Sequence, residues 1–190
     1  MSLSPDALTA AHLIERLERL ARAGAGAERL NPAQWNALRF IASANRFSRT
    51  PAALAEFLAS TRGTISRTLM ALEKNGYVSR DPSPTDGRGV LLSLTPRGEN
   101  AVRNDPLLAL ARDIERATAP HTRQLVDSLA AVLRNAVARN GGRPFGLCHA
   151  CRHFRGHAQP SSSTPHHCDL LDEPLSEADS RKICIEHEAA

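Results

Sequence analysis

The stretch that decides the fold is residues 61–80, TRGTISRTLMALEKNGYVSR. Thr61 is a favourable N-cap residue for a helix. The apolar side chains that follow have the three- and four-residue spacing of one helix face: Ile65, Leu69 and Leu72. Gly76 is typical of the position just after a helix, and residues 77–80 have the composition of a short strand. The stretch therefore predicts a helix that leads directly into a β-strand.

The chain on either side of this stretch predicts further helices and one more strand. A capping residue followed by Pro is a helix-start signal, and it occurs at Ser4-Pro5, Asn31-Pro32, Thr50-Pro51 and Thr95-Pro96. Residues 90–94 predict a second strand after a turn-forming segment, 81–89. Pro106 must interrupt the next helix, which continues over 107–117, and a last helix covers 120–139. This layout predicts a mainly α (α+β) winged helix-turn-helix.

Composition excludes several classes of protein. The 190 residues are 42% hydrophobic and 23% charged, which is typical of a globular chain. The longest apolar run, near residues 107–111, falls far short of the roughly 18 residues that a membrane helix needs. Residues 1–6 lack the basic and apolar regions of a signal peptide. We therefore expect a cytoplasmic protein that does not interact with a membrane.

Charge is distributed unevenly along the chain. The net charge is +4, but residues 1–140 carry 19 basic and 13 acidic residues, whereas residues 141–190 carry 5 and 7. All basic residues except Lys74 and Lys182 are Arg, whose planar fork suits contacts with phosphates and base edges. A GC-rich genome would also produce this Arg excess. The sequence thus predicts a basic body, residues 1–140, and an acidic tail, residues 141–190.

The helix and the turn of the body together form a candidate DNA-binding surface. A recognition helix places its N-terminal residues at the base edges of the major groove, and an Arg at a hairpin tip can enter the minor groove. Arg88 is at such a tip, and Asp86 could hold its guanidinium in place. The alternatives are a solvated helix face and a turn with incidental charges. The candidate residues are Thr61, Arg62, Gly63, Thr64, Ser66, Arg67, Lys74, Arg80, Asp86 and Arg88.

The residues in this order resemble the MarR family of bacterial regulators. Residues 30–38, LNPAQWNAL, are similar to the second helix of that family, and the runs 65–69 and 72–80 are also similar to it. The wing carries the strongest resemblance, because residues 86–89, DGRG, precede LSLTPRG at 92–98, as Asp-Arg-Arg precedes Leu-Thr-x-x-Gly in the family. Gly87 departs from that motif, which puts one supporting contact in doubt, whereas Arg88 is retained. The resemblance covers roughly residues 5–140.

The resemblance implies a homodimer that binds a pseudo-palindromic operator on double-stranded DNA. In this family the first and last helices of each subunit form the dimer interface, and the long apolar stripes at residues 10–20 and 125–136 agree with this role. Family members usually repress transcription, and many release DNA when a small molecule binds. No residue identifies such a ligand, and Trp35, Phe40, Phe47 and Phe57 are expected in the core.

The tail, residues 141–190, lies outside this resemblance and holds every cysteine. The pattern is Cys148-x2-Cys151-x16-Cys168-x15-Cys184, with six of the eight histidines nearby. Clustered cysteines in a cytosolic chain more often bind a metal than form disulfides. We therefore predict a small four-cysteine metal-binding extension; the alternative is a flexible tail with accidental cysteines. Apolar residues beside the cysteines could pack around the metal: Phe145, Leu147, Phe154, Leu170, Leu171, Leu175, Ile183 and Ile185.

The identity and the role of the metal stay open at this stage. Zinc and an iron–sulfur cluster are nearly equal candidates, with zinc ranked first, and His167 and His187 are possible substitute ligands. The metal could be a structural staple or a sensor that acts through the last helix, which joins the tail at Asn140. We expect no enzyme, because four cysteines would close the coordination sphere. The alternatives are a redox enzyme and an interaction module that does not bind DNA.

Overall fold

The computed structural model describes residues 3–23, 30–82, 89–158 and 162–190. In chain order the helices are α1 (Pro5–Ala23), α2 (Pro32–Ser43), α3 (Pro51–Phe57), α4 (Arg62–Lys74), α5 (Pro96–Arg103), α6 (Leu107–Thr118), α7 (Thr122–Arg139) and α8 (Glu177–Ser180). The strands are β1 (Val78–Pro82), β2 (Val90–Leu94), β3 (Gly146–Leu147), β4 (Phe154–Arg155), β5 (His166–Cys168), β6 (Glu173–Leu175) and β7 (Ile183–Cys184).

Side-chain caps fix the starts of four helices in the body, α2, α3, α4 and α5. Asn31, Thr50, Thr61 and Thr95 each accept a hydrogen bond from the backbone N–H three residues ahead. Each such cap contributes about 1 kcal/mol to helix stability. The helix starts predicted at these four positions are therefore confirmed.

The core of the body lies between α2, α3 and α4 and is closed by the hairpin of β1 and β2. Its largest fully buried side chains include Phe40, Leu38, Leu54 and Leu92. The stripe predicted on α4 is also buried, since Ile65, Leu69 and Leu72 are each at most 3% exposed. The two strands pair antiparallel, with Val78 opposite Leu94 and Pro82 opposite Val90. This arrangement places the exposed face of α4 beside the hairpin.

An ion pair joins α2 to the junction between α5 and α6. Arg39 donates from Nε to Asp105 Oδ2 (2.6 Å) and from Nη2 to Asp105 Oδ1 (2.7 Å). Asp105 also accepts from the N–H of Leu107 (2.8 Å) and so recaps the chain after the Pro106 break, as the sequence predicts. Burial alone would raise the pKa of Asp105, but the bonds from Arg39 and Leu107 and the charge of Arg39 outweigh it and lower this pKa.

The helices α1, α6 and α7 form an extension whose apolar residues remain largely uncovered in a single chain. Helix α1 contacts α6, and α6 contacts α7. Leu13 is 55% exposed, Val132 58% and Leu133 64%. Within the described residues no side chain of α6 or α7 is buried. Among those residues, no helix has both the length and the apolarity to span a membrane.

The tail packs on the body. The two-residue strands β3 and β7 pair with each other, and β4, β5 and β6 form a second small sheet. Phe145, Ile183 and Ile185 pack against the core of the body, so their predicted place around the cysteines is wrong. The physical reason is that this core has an open apolar edge, where the ring of Phe145 lies 5.0 Å from that of Phe57 and 6.1 Å from that of Phe40.

The Arg39–Asp105 pair gives the first prediction. Replacing Asp105 with Ala leaves Arg39 without its partner and should lower the free energy of unfolding by about 2 kcal/mol at pH 7, the magnitude of a charged hydrogen bond. Because folding lowers the pKa of Asp105 below its ordinary value of 3.8, its contribution is present above that pH and is lost as the pH falls through the lowered pKa. Urea unfolding at pH 7 and at acid pH measures both effects.

The matched control is Asp113→Ala, since Asp113 pairs with Arg116 on the exposed face of α6, where both side chains are more than 60% exposed. This change should alter stability by at most about 0.5 kcal/mol. Equal effects of the two substitutions would show that the Arg39–Asp105 pair is not a structural contact.

Candidate nucleic-acid interface and cysteine centre

Helix α4 presents a polar face to solvent. Arg62, Gly63, Ser66 and Arg67 are exposed on its first two turns, opposite the buried stripe. A Cβ added at Gly63 would meet no atom within 4 Å, so this position is open to the approach of another molecule. The structure therefore brings most of the predicted helix residues together on one accessible surface.

The hydroxyl groups at the start of α4 are already engaged with one another. Thr61 Oγ1 accepts from the N–H of Thr64 (3.2 Å) and lies 2.9 Å from Thr64 Oγ1. Their first role is thus to fix the helix N-terminus, and their remaining hydrogen-bonding capacity faces solvent. Lys74 is exposed at the opposite end of the helix, about 18 Å away at 1.5 Å per residue. It is therefore separated from the cluster of Arg62, Ser66 and Arg67.

A depression of about 510 Å³ lies between α4, the hairpin and the start of α3. Arg62, Ser66, Arg80 and Thr50 line it. The Nε of Arg80 is 3.2 Å from Glu73 Oε2, but neither its Nε nor its Nη2 has a hydrogen-bond partner among the described residues. This depression contains two guanidinium groups, which suit an anion such as a phosphate. Asp86 and Arg88 lie outside the described residues.

An apolar cavity of about 660 Å³ separates the winged part from the extended helices. Its walls come from α1, α2, α6 and α7, and they include Trp35, Leu110, Leu129 and Arg39. Its volume is in the range of small-molecule sites. Trp35 and Phe40 belong to the core as predicted, whereas Phe57 is 41% exposed.

The four cysteines converge on one cavity, although 35 residues lie between the first and the last. Its wall contains Cys148, Cys151, Cys168 and Cys184, together with Phe47, Phe154, Leu170, Leu171, Leu175, Asn45, His153 and Glu186. All four thiols are free, and Cys148 and Cys184 are buried. The tail thus holds its four cysteine side chains around a common, largely apolar space.

Hydrogen bonds already surround these sulfur atoms. Asn45 Nδ2 donates to Cys148 Sγ (3.3 Å), and the N–H of Glu188 donates to Cys151 Sγ (3.5 Å). The neighbouring thiol of Cys184 and burial both raise the pKa of Cys148, whereas the thiol of Cys148 lowers the pKa of Cys184. Such donors stabilise thiolates, the form that binds a metal.

As they stand, no three His, Cys, Asp or Glu side chains in the described parts of the chain form a group tight enough for one ion. A bound metal would therefore have to draw the thiolates inward, or a larger cluster would have to span them. The chemistry of four free cysteines around one cavity fits either group.

The histidines differ from the sequence-based expectation. His167 Nε2 faces Asp172 Oδ1 at 3.2 Å, and His187 Nε2 lies 3.3 Å from the carbonyl oxygen of Ala150. Neither residue lines the cysteine cavity, whereas His153 does. Sequence reasoning also missed Asn45 and Phe47 of the body as wall residues, because no local pattern links them to cysteines about 100 residues away.

Comparison with known proteins matches one segment of the chain to a family. Residues 30–89, from the start of α2 to the wing, match the family model described as MarR family. No curated protein matches the chain at a significant level. The winged helix-turn-helix prediction is thereby supported for this segment, and the tail lies outside it.

Solved structures of MarR-type regulators are similar to the chain. Wild-type MarR from E. coli, in its apo form, is 27% identical with a TM-score of 0.53 and covers 70% of this chain and 99% of its own. A structure described as the multiple antibiotic resistance repressor MarR is 26% identical with a TM-score of 0.50. It covers 72% of this chain and 97% of its own. The transcriptional regulator BldR from Sulfolobus solfataricus is 20% identical with a TM-score of 0.56. It covers 71% of this chain and 99% of its own, and at this identity it shows similarity of fold alone.

Proposed function

We propose that the protein is a sequence-specific DNA-binding transcriptional regulator that acts as a homodimer on a pseudo-palindromic operator. The observation that carries this proposal is the exposed, Arg-containing face of α4 beside an Arg-lined depression, in a segment that matches the MarR family. The similar proteins named above are described as regulators, which is consistent with a non-enzymatic role.

Each part of this surface has a distinct role in the proposed complex. Arg67 and Ser66 reach base edges in the major groove, because they lie on the outward face of the recognition helix. Arg62 and Arg80 bind backbone phosphates at the depression. Arg88 enters the minor groove from the wing and Asp86 orients it, as the resemblance implies. Thr61 and Thr64 hold the helix start at the correct angle.

Substitutions on α4 test this assignment. Arg67→Ala should weaken DNA binding by about 1–3 kcal/mol and relax the preference for one base pair. Arg62→Ala should weaken binding to all DNA sequences alike. It should also lower by about 1 the slope of the logarithm of the binding constant against the logarithm of the salt concentration. The probe is a duplex selected by the protein from a random-sequence pool, and fluorescence anisotropy across a salt series measures both quantities. Arg88→Ala, measured in the same way, tests the wing.

The control variant is Arg116→Ala, which removes an equal charge from the exposed face of α6. Its affinity should match that of the unmodified protein. If Arg62→Ala and Arg67→Ala also bind normally, the assigned surface is wrong.

The homodimer is proposed from the uncovered apolar side chains of α1 and α7. Leu13, Leu17, Val132 and Leu133 are each more than 40% exposed in the single chain, and large apolar surfaces of this kind are usually covered by a partner. A two-fold pair of chains would place one α4 in each of two successive major grooves, which requires half-sites about one helical turn apart.

A charge introduced into α7 tests the dimer. Leu133→Glu should shift the molar mass in light scattering from two chains to one at micromolar concentration, because a carboxylate would be buried without a partner. Leu147→Glu, at an exposed apolar position of the tail, is the matched control and should leave the mass unchanged. A single-chain mass for the unmodified protein would contradict the proposal.

Repression and release by an effector complete the proposed function. The resemblance to the MarR family supports repression. The 660 Å³ cavity supports a small apolar molecule as the effector, since Trp35 and aliphatic side chains line it and Arg39 supplies a polar contact. A ligand bound there would contact both the winged part and the extended helices.

We also propose that the four cysteines hold a metal centre, either zinc or an iron–sulfur cluster, with a structural or a sensory role. The specific support is that all four free thiols line one cavity. When bound, the group supplies the positive charge that four thiolates need, and it ties together a tail too short to fold on a large core of its own.

Metal content and colour test the centre. Protein purified anaerobically should contain either one zinc per chain and no visible absorption, or iron and sulfide with the visible bands of a cluster. Cys148→Ser and Cys168→Ser should each lose most of the bound metal. His167→Ala is the control and should keep it, because His167 faces Asp172. Metal-free unmodified protein with the tail folded would refute the centre.

A further inference from the structure

Residues 44–50 link α2 to α3, and we call this link the elbow. Hydrogen bonds donated by backbone N–H groups attach the tail to it. The N–H of Asn45 donates to the carbonyl oxygen of Ile183 (2.9 Å). The N–H of Ile185 donates to Ser48 Oγ (2.9 Å). Residues on both sides of Cys184 are therefore held by the elbow.

The side chain of Asn45 connects the elbow directly to the cysteine centre. Its Nδ2 donates to Cys148 Sγ (3.3 Å), and its Oδ1 accepts from the N–H groups of Phe47 (3.1 Å) and Ser48 (2.9 Å). Ser48 also contacts the tail, through the Oγ atom that accepts from the N–H of Ile185. Both elbow residues are at most 1% exposed. A buried amide of this kind transmits a displacement of the sulfur atom to the turn, because no water is available to replace the lost bond.

The other side of the elbow contacts the DNA-facing elements. The carbonyl oxygen of Arg49 accepts from the N–H of Leu92 in β2 (2.7 Å), and Thr50 caps α3. Thr50 also lines the depression that contains Arg62 and Arg80. The elbow thus lies between the sulfur atoms and the wing.

A charged contact strengthens the same attachment. Arg46 pairs with Asp179 of α8 and lies 3.6 Å from Glu173, and its guanidinium packs over the ring of Phe47 at 4.4 Å. Phe47 in turn lines the cysteine cavity. Four consecutive elbow residues, 45–48, therefore contact the tail.

We propose that the occupancy of the cysteine centre sets the affinity for DNA through the elbow, rather than through α7 and the chain that follows Asn140. This inference rests on the function proposed above and adds its regulation. The bound group fixes Cys148 and Cys184. Cys148 then holds Asn45, and the residues on either side of Cys184 hold Asn45 and Ser48. The ordered elbow in turn holds α3 and β2 in place for DNA. Without the group the elbow loosens, and DNA binding must then order it again, so the affinity falls.

The test compares metal-loaded full-length protein with protein stripped by a chelator, using the duplex selected from a random-sequence pool. Stripping should weaken binding by about tenfold, within the 5- to 150-fold range of typical couplings. Hydrogen exchange should become faster at residues 44–50 and 90–94 in the stripped protein. Reloading with Zn²⁺ alone, or with iron and sulfide, shows which group restores tight binding.

The decisive variant is Asn45→Asp, which keeps the oxygen that Phe47 and Ser48 bond but replaces the donor to sulfur with a repelling carboxylate. Loaded N45D should bind DNA as weakly as the stripped unmodified protein, with less than a twofold change on stripping. Ser48→Ala is a second variant with the same expectation. Asn104→Asp, at the exposed end of α5, is the matched control. It should lose about as much DNA affinity on stripping as the unmodified protein does.

Each outcome is decisive. Equal DNA affinity of the loaded and stripped unmodified protein overturns the coupling. If N45D and S48A both lose as much affinity on stripping as the unmodified protein does, the route through the elbow is overturned. A loaded protein that binds no selected duplex refutes the DNA-binding function itself, and the coupling with it. That case is distinguishable, because it removes binding from every form and not only from the stripped protein.

Discussion

The hydrogen bonds of the Asn45 side chain are the contact on which most of this structure depends. One oxygen closes the turn after α2 by accepting from Phe47 and Ser48, and one nitrogen donates to Cys148. Because the side chain is 1% exposed, any bond that it loses is not replaced by water, and an unsatisfied buried amide costs about 1–3 kcal/mol. The path of the chain from α2 into α3, and with it the position of α4, is therefore tied to the fold of the tail.

The body has a second fixed junction, between α2 and the extended helices. The bidentate contact of Arg39 with Asp105 sets where α6 leaves the winged part, and Leu107 is capped by the same carboxylate. Arg39 also lines the apolar cavity between these two parts. One helix, α2, thus carries the link to the extended helices in its middle and the link to the cysteine centre after its end.

The sequence predicted the body closely because its signals are local. The caps at Asn31, Thr50, Thr61 and Thr95 act over three residues, and the stripe on α4 follows from helix period alone. The tail was predicted less well. Phe145, Ile183 and Ile185 were expected around the cysteines, but they fill an open edge of the core of the body. The choice between two apolar surfaces depends on which of them is uncovered, and no local pattern contains that information.

By itself, the sequence determined the order of helices and strands in the body, the polar face of α4 and the division of chemistry between an Arg-rich body and a tail that holds every cysteine. These follow from residue spacing and composition, which are properties of short segments. Only the tertiary structure decided that the four cysteines share one cavity, that His153 rather than His167 or His187 faces it, and that Asn45 reaches its sulfur atoms. The first two features bring together residues spread over the tail, and the contact of Asn45 with Cys148 joins residues 103 positions apart. No pattern in a short segment specifies such contacts.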